Sequence, residues 1–329
     1  MTAETNHAIE VPRHPEVPED VHQRVVEQVQ ATMQARRAAA AAVTSPLEAW
    51  ERQVFGETGG PTTEDEARQR IEGAGLSVDA YQAVSAAGRQ QWMSTHEAPP
   101  STTPTTLPEP SIILQVPTTY TAPYMGSAWW PTSSGSGWKV EQATAFPTQP
   151  NGQYRESDAP SGTVGTGLAV EYDGGFGSSS VVATEYEMVG VWVKTVHPSQ
   201  FFLANVAPST IQFHAGASLY PYIGGGSATF TSSSMIECYT GNESADHEDA
   251  SAPGQRVTWT APFGDPVSQT GSLAVQQPSF SNTNRYAPGT WIWVLGGTYQ
   301  RISATISNAG FAQASIFATA KVTSLVLWL

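Results

Sequence analysis

Glu185 and Glu187 stand two residues apart in a run whose alternation reads as a β-strand, and a strand sends residues i and i+2 to the same face. Two carboxylates on one face of a cleft are what glycoside hydrolysis needs: one protonates the leaving oxygen, and the other attacks the sugar or activates water. Glu171 and Asp173 repeat the spacing, and Gly, Tyr and Trp nearby would suit a sugar cleft. The competing reading is that such pairs solubilise the outer face of a strand near its end.

Other chemistries find less support. No G-x-S-x-G turn occurs, and Gly135-Ser136-Gly137 is the nearest fragment, in a Ser/Gly loop. Cys238 follows Met235-Ile236-Glu237 in a strand-like run, where a free cysteine is ordinarily a small buried hydrophobe. A catalytic thiol needs a histidine beside it, and the order of residues does not bring His197, His214 or His247 to it. A single cysteine also excludes an intrachain disulfide and a cysteine-based zinc site. The run from Asn242 to Asp249 is dense in oxygen ligands, so Asp246, Glu248 and Asp249 form a candidate calcium loop. It lacks the ligand spacing and turn glycine of an EF-hand, and a solvated acidic loop explains the same composition. No cofactor-binding motif is present: there is no P-loop, no dinucleotide fingerprint and no CxxC.

The best recognition candidate is aromatic. Tyr120, Tyr124, Trp129, Trp130 and Trp138 sit among Pro, Gly and Ser between residues 120 and 138. Exposed aromatics on such a loop stack on sugar rings or fill a partner's pocket, offering area at low entropic cost. The alternative is that they plug one end of the β-domain, since Trp is mostly buried in folded proteins.

The elements that must hold these residues divide near residue 110. Residues 1–17 read as an extended arm, interrupted by Pro12 and Pro15. Residues 18–96 read as a helical segment. Within it, Val21, Val25, Val29 and Met33 recur every four residues on one stripe of a helix expected over 19–43. Ser45-Pro46-Leu47-Glu48 and Thr63-Glu64-Asp65-Glu66 have capping-box spacing, and Gly73 and Gly75 stop the second of those helices. A last helix is expected over 77–93. The narrow valine stripe predicts packing against other helices or a neighbouring copy, because isolated helices are marginal in water. It is the assembly candidate.

Residues 97–110 form a Pro/Thr-rich hinge too poor in apolar residues to build a core. From 111 to 329 the period becomes two. Val189, Val191 and Val193 alternate with Met188, Gly190 and Trp192, so both faces of that strand are apolar. Ile302, Ala304 and Ile306 alternate with Arg301, Ser303 and Thr305. About ten such runs predict an antiparallel β-sandwich, in a jelly-roll arrangement. Trp192, Val191, Val257, Ile302, Ile306 and Val322 are expected between its two sheets.

Charge follows the same boundary. Residues 1–100 carry 8 basic and 15 acidic side chains, and the 229 residues after them carry only 7 and 14. The net charge of −14 opposes contact with phosphate backbones and anionic membrane surfaces. Leu325–Leu329 and the other apolar runs are far shorter than a membrane span. The first residues, Met-Thr-Ala-Glu, have no apolar export signal. A Ser/Thr/Gly-rich β-domain without disulfides or signal is expected of a virion or particle protein, made in a host cytoplasm and released by lysis. The expectation is therefore a non-enzymatic structural protein, capsid, spike, tail or decoration subunit, whose partners are itself, other particle proteins and possible surface glycans or receptors. The alternatives are a secreted carbohydrate-binding module using the aromatic loop and a glycan-active hydrolase using the carboxylate pairs.

Overall fold

The computed structural model describes residues 11–41, 46–55, 63–96, 118–134, 138–142, 158–173, 178–195, 202–208, 212–220, 225–241, 248–251, 255–261, 267–273, 279–282, 287–306 and 311–328. Four helices come first: α1 (Glu19–Ala41), α2 (Pro46–Phe55), α3 (Glu64–Gly73) and α4 (Val78–His96). Their starts follow the sequence punctuation. Thr63 caps α3 by accepting the Glu66 backbone N–H on its hydroxyl at 3.3 Å, and three acids occupy that helix's first turn. Ser77 accepts the Ala80 N–H at 3.1 Å and caps α4 in the same way.

Fourteen strands follow among the described residues. They are β1 (Thr118–Tyr120), β2 (Gly126–Ser134), β3 (Trp138–Gln142), β4 (Thr163–Asp173), β5 (Ser179–Lys194), β6 (Phe202–Pro208), β7 (Gln212–Tyr220), β8 (Gly226–Tyr239), β9 (Glu248–Ser251), β10 (Gln255–Ala261), β11 (Val267–Leu273), β12 (Ser279–Asn282), β13 (Trp291–Ile306) and β14 (Phe311–Trp328). One sheet runs β10-β8-β13-β5-β2, with β9 on β8; the other runs β11-β7-β14-β4-β3, with β1 and β6 on the far part of β14 and β12 on β6. Every pairing is antiparallel. The chain is thus a mainly β protein whose two sheets pack face to face, as the period-two patterning requires.

The space between the sheets is filled by aliphatic side chains. Val181, Ala183, Val189, Val191 and Val193 enter it from β5, Ile292, Val294, Ile302, Ala304 and Ile306 from β13, and Ala314, Ile316, Ala318 and Val322 from β14. The opposite face of the six-stranded sheet is equally apolar but aromatic: Tyr186, Met188, Trp192, Trp291, Trp293, Leu295, Tyr299, Met235 and Tyr239. Nearly every residue of β5, β8 and β13 is buried in consequence. The fold therefore needs a third layer.

The helices supply it. Val25, Val29 and Met33 of α1 are buried in the aromatic cluster, joined by Val17, with Val21 half-buried at its edge. Trp92 and Met93 of α4 cover Val182 farther along β5. A small helical core of Ala67, Ile71 and Tyr81, with Trp50 and Phe55 against it, ties α2, α3 and α4 together. The expected partner of the valine stripe, a neighbouring helix or copy, is thus corrected: the stripe lies on the chain's own sheet. The physical reason is the second apolar face of β5, β8 and β13, whose aromatic cluster α1 covers. Trp192 is corrected for the same reason, since it packs beneath α1 and not between the sheets. The 97–110 hinge and the strand expected over 111–116 lie outside the described residues, as does the side chain of Val257.

Gly241 lets α1 come close. Its φ of +65° belongs to the left-handed region, and a Cβ there would stand 3.0 Å from the Val21 carbonyl. Its N–H donates to Gln28 Oε1 at 3.2 Å, and its carbonyl accepts from Arg24 Nε.

Substituting Val29→Asp would place a carboxylate among Trp and Tyr rings. The variant should lose about 3 kcal/mol of unfolding free energy in denaturant titration. An unchanged midpoint would mean that α1 does not dock there.

Candidate functional site

Three groups of buried polar side chains lie in this framework. The first fastens α1. Arg36 Nη1 donates to Glu237 Oε1 at 2.7 Å, and Tyr239 donates its hydroxyl to Glu237 Oε2 at 2.6 Å. The guanidinium lies 4.5 Å from the Tyr186 ring centroid. Burial pulls the Arg36 pKa down, but Glu237, Tyr186 and Tyr239 around it outweigh that and hold it above its ordinary value. Tyr239 moves well up, through burial first and then Glu237. The N-terminal approach to α1 is held too: Trp192 Nε1 donates to the Pro12 carbonyl at 2.8 Å.

The second group fastens the other helices. Glu51 of α2 is 3 % exposed and accepts from the Tyr81 hydroxyl of α4, from the Ser178 backbone N–H and, at 2.8 Å, from Ser178 Oγ. Ser178 directly precedes β5, so this carboxylate joins α2, α4 and the sheet. Burial raises the Glu51 pKa above the usual carboxylate range, against the lowering effect of those donors. Burial likewise lowers Arg89, whose Nη1 donates to Ser85 Oγ at 2.9 Å.

The third group is a polar band across the middle of the sandwich interior. Glu185 and Glu187 alternate in phase with Ala183 and Val189, so they share the inward face of β5. In the β13 register Glu185 stands opposite Gln300 and Glu187 opposite Thr298; in the β8 register Gln300 stands opposite Ser232 and Thr298 opposite Ser234. All six residues are at most 1 % exposed. Both Gln300 side-chain polar atoms, Thr298 Oγ1 and Ser232 Oγ are without a hydrogen-bond partner. Gly297, on the other face, fits where a Cβ would collide with the β5 backbone at Glu187 and Met188, so the two strands meet closely beside the band.

The sequence-derived candidates are distributed differently. Tyr124 is 5 % exposed and donates to the Val322 carbonyl at 3.1 Å; Trp138 is 9 % exposed, with its ring 5.4 Å from that of Tyr172. Tyr120 lies half-buried in β1 against the same core. Trp129 and Trp130 are consecutive in β2, at register positions opposite Glu187 and Tyr186. The five aromatics thus belong to strands and a core edge and do not form one loop. Glu248 and Asp249 are in β9, opposite Cys238 and Glu237, while Asp246 lies outside the described residues. Cys238 is buried in the sandwich core. Among the described residues no group of three or more His, Cys, Asp or Glu is placed to hold a metal, and no helix is long and apolar enough to cross a membrane. The Glu185–Glu187 pair does share a face, but that face is interior and neither an open cleft nor a solvated surface. The polar members of β8 and β13, Ser232, Thr298 and Gln300, were passed over because each stands among residues that read as ordinary strand. Their common signal is a polar interruption in phase with the inward apolar residues of three adjacent strands.

No protein-family model matches the chain, and no curated protein matches it. Among solved structures it is similar to TmCBM61 in complex with β-1,4-galactotriose, at 9 % identity over 58 % of this chain and 86 % of that one, with a TM-score of 0.19. It is also similar to the enzymatically active domain of bacteriophage CBA120 tailspike protein 4, at 11 % identity over 57 % of this chain and 19 % of that one, with a TM-score of 0.13. Likenesses this slight carry no argument about function.

The raised Glu51 pKa gives a sign for pH dependence. The folded state holds that proton more tightly than the unfolded chain, so Glu51's contribution to stability falls as pH rises above the ordinary carboxyl value of 4.5. The melting temperature of the native chain minus that of Glu51→Gln should therefore fall between about pH 4.5 and pH 7. A difference that grows over this window would contradict the assignment.

Proposed function

We propose that the chain is a structural subunit of a virus or phage-like particle and associates with copies of itself. One observation carries this reading: the helices cover the outer face of one sheet, while among the described residues no element covers the outer face of the other. On β14 that open face presents Gln313, Lys321 and Thr323 to solvent, with Ser315, Phe317 and Thr319 half-buried between them. Neighbouring β7 adds Ser218 and Tyr220, the latter 44 % exposed. This strand surface is mostly uncharged, with Lys321 and Glu171 its described charges, and such a surface packs readily against another protein surface because little charge has to be desolvated. The low charge density of residues 101–329 extends that property over the β-domain.

A structural role also accommodates the polar groups. Two of the three fasten layers to one another, and the carboxylate pair is enclosed, so a large substrate such as a glycan has no route to it in this conformation. Of the aromatic candidates for glycan stacking, Tyr124 and Trp138 support the sandwich from within, which weighs against the carbohydrate-binding alternative.

Size-exclusion chromatography with light scattering is the direct test. The full chain should elute as a defined oligomer or larger closed assembly, and Phe317→Glu with Tyr220→Glu should shift it toward monomer. A native chain that remains monomeric at high micromolar concentration would overturn the proposal.

A further inference from the structure

The polar band inside the sandwich has a composition that structural fastening does not explain. It joins no helix to a sheet. It interrupts the inward apolar rows of β5, β13 and β8 at matching heights, with Ala183, Ile302 and Phe230 on one side and Val189, Val294 and Ile236 on the other. Burying a polar group without a hydrogen bond costs free energy, and burying carboxylates costs more. A band holding unpartnered Gln300, Thr298 and Ser232 oxygens persists where something gives those three residues partners.

Its chemistry selects the partner. Glu185 and Glu187 lie about 7 Å apart along one strand, and residues directly opposite across strands have Cβ atoms about 5 Å apart. Glu185, Gln300 and Ser232 form one row across the sheet, and Glu187 and Thr298 lie in the next. Each offers oxygen. The described inward residues of the facing sheet are apolar, from Val164 and Leu168 on β4 to Ala314 and Ile316 on β14. Their aliphatic side chains offer the band no hydrogen bond. Gly296, on the inward face of β13 beside Thr298, adds no side chain either.

We propose that the band is an internal calcium site. Glu185 and Glu187 supply the negative charge, while Gln300 Oε1, Thr298 Oγ1 and Ser232 Oγ supply neutral oxygen ligands. The inference stands on the three neutral residues: each is fully buried or nearly so, has no hydrogen-bond partner, and shares a face and row with a carboxylate. Calcium accepts six to eight oxygens in irregular geometry, which suits ligands drawn from three strands; magnesium demands a strict octahedron and keeps its waters. Bound there, the ion would cross-link β5, β13 and β8 from inside and stabilise the chain in proportion to its occupancy.

The test uses the full-length chain, freed of metal with a chelator, in differential scanning calorimetry and isothermal titration with calcium chloride. We expect one calcium per chain and a melting temperature about 5 °C higher at saturating calcium, with a smaller response to magnesium. The shift should vanish in Glu185→Gln with Glu187→Gln. It should persist in Asp246→Asn with Glu248→Gln and Asp249→Asn, which removes the acidic run at 246–249. If the double glutamine variant fails to fold, Gln300→Leu decides, with an expected loss of at least about tenfold in calcium affinity. No calcium response in the native chain would overturn the proposal. So would a response lost with the acids at 246, 248 and 249, or one unchanged by Gln300→Leu.

Discussion

The structure depends on one constraint: the central strands of the six-stranded sheet, β5, β13 and β8, are apolar on both faces. A two-layer sandwich can dry only one of them. The other carries five buried tryptophan and tyrosine side chains on β5 and β13 alone, Tyr186, Trp192, Trp291, Trp293 and Tyr299. Burial of side chains this size contributes roughly 2–3 kcal/mol each, so leaving them wet would remove a large part of a typical domain's net stability. The helices are therefore part of the β-domain's energetics. That also explains the ion pair between Arg36 and Glu237. Its value is positional, since it fixes the rotation of α1 over the aromatic face, and the desolvation of both charges limits its contribution to stability.

Much of this was legible in the sequence. The change of period near residue 110, the cap at Thr63, the helix expected from residue 77 and the double apolar face of residues 188–193 all appear as elements of the expected kind. Strand lengths were harder to read. Thr229–Thr231 and Met235–Tyr239 read as two strands but belong to the single strand β8, because Ser232, Ser233 and Ser234 look like a turn in sequence and are held in the sheet by pairing with β13. Register between distant strands is what decides such cases, and local propensity does not contain it.

The layer order was not legible for a similar reason. The valine stripe of α1 has the spacing of a helix that needs a partner, and many surfaces would satisfy it. The fact that Trp192 and Val191 point to different layers follows from strand alternation, but which layer is helical does not. The polar band was hidden by distribution: its residues come from positions 185, 187, 232, 298 and 300, and only strand pairing brings them to one height. Glu185 and Glu187 were visible as a pair from their spacing. Their enclosure was not, because a carboxylate in a strand ordinarily marks the wet face.

Docking of α1 onto its own sheet is the claim on which the rest hangs, and hydrogen–deuterium exchange read by mass spectrometry tests it most directly. Amides of α1 from Val21 to Met33 should be protected together with those of β5, β8 and β13, to a degree that does not change with protein concentration. Rapid exchange in α1 beside a protected sheet, or protection that appears only as concentration rises, would contradict the account.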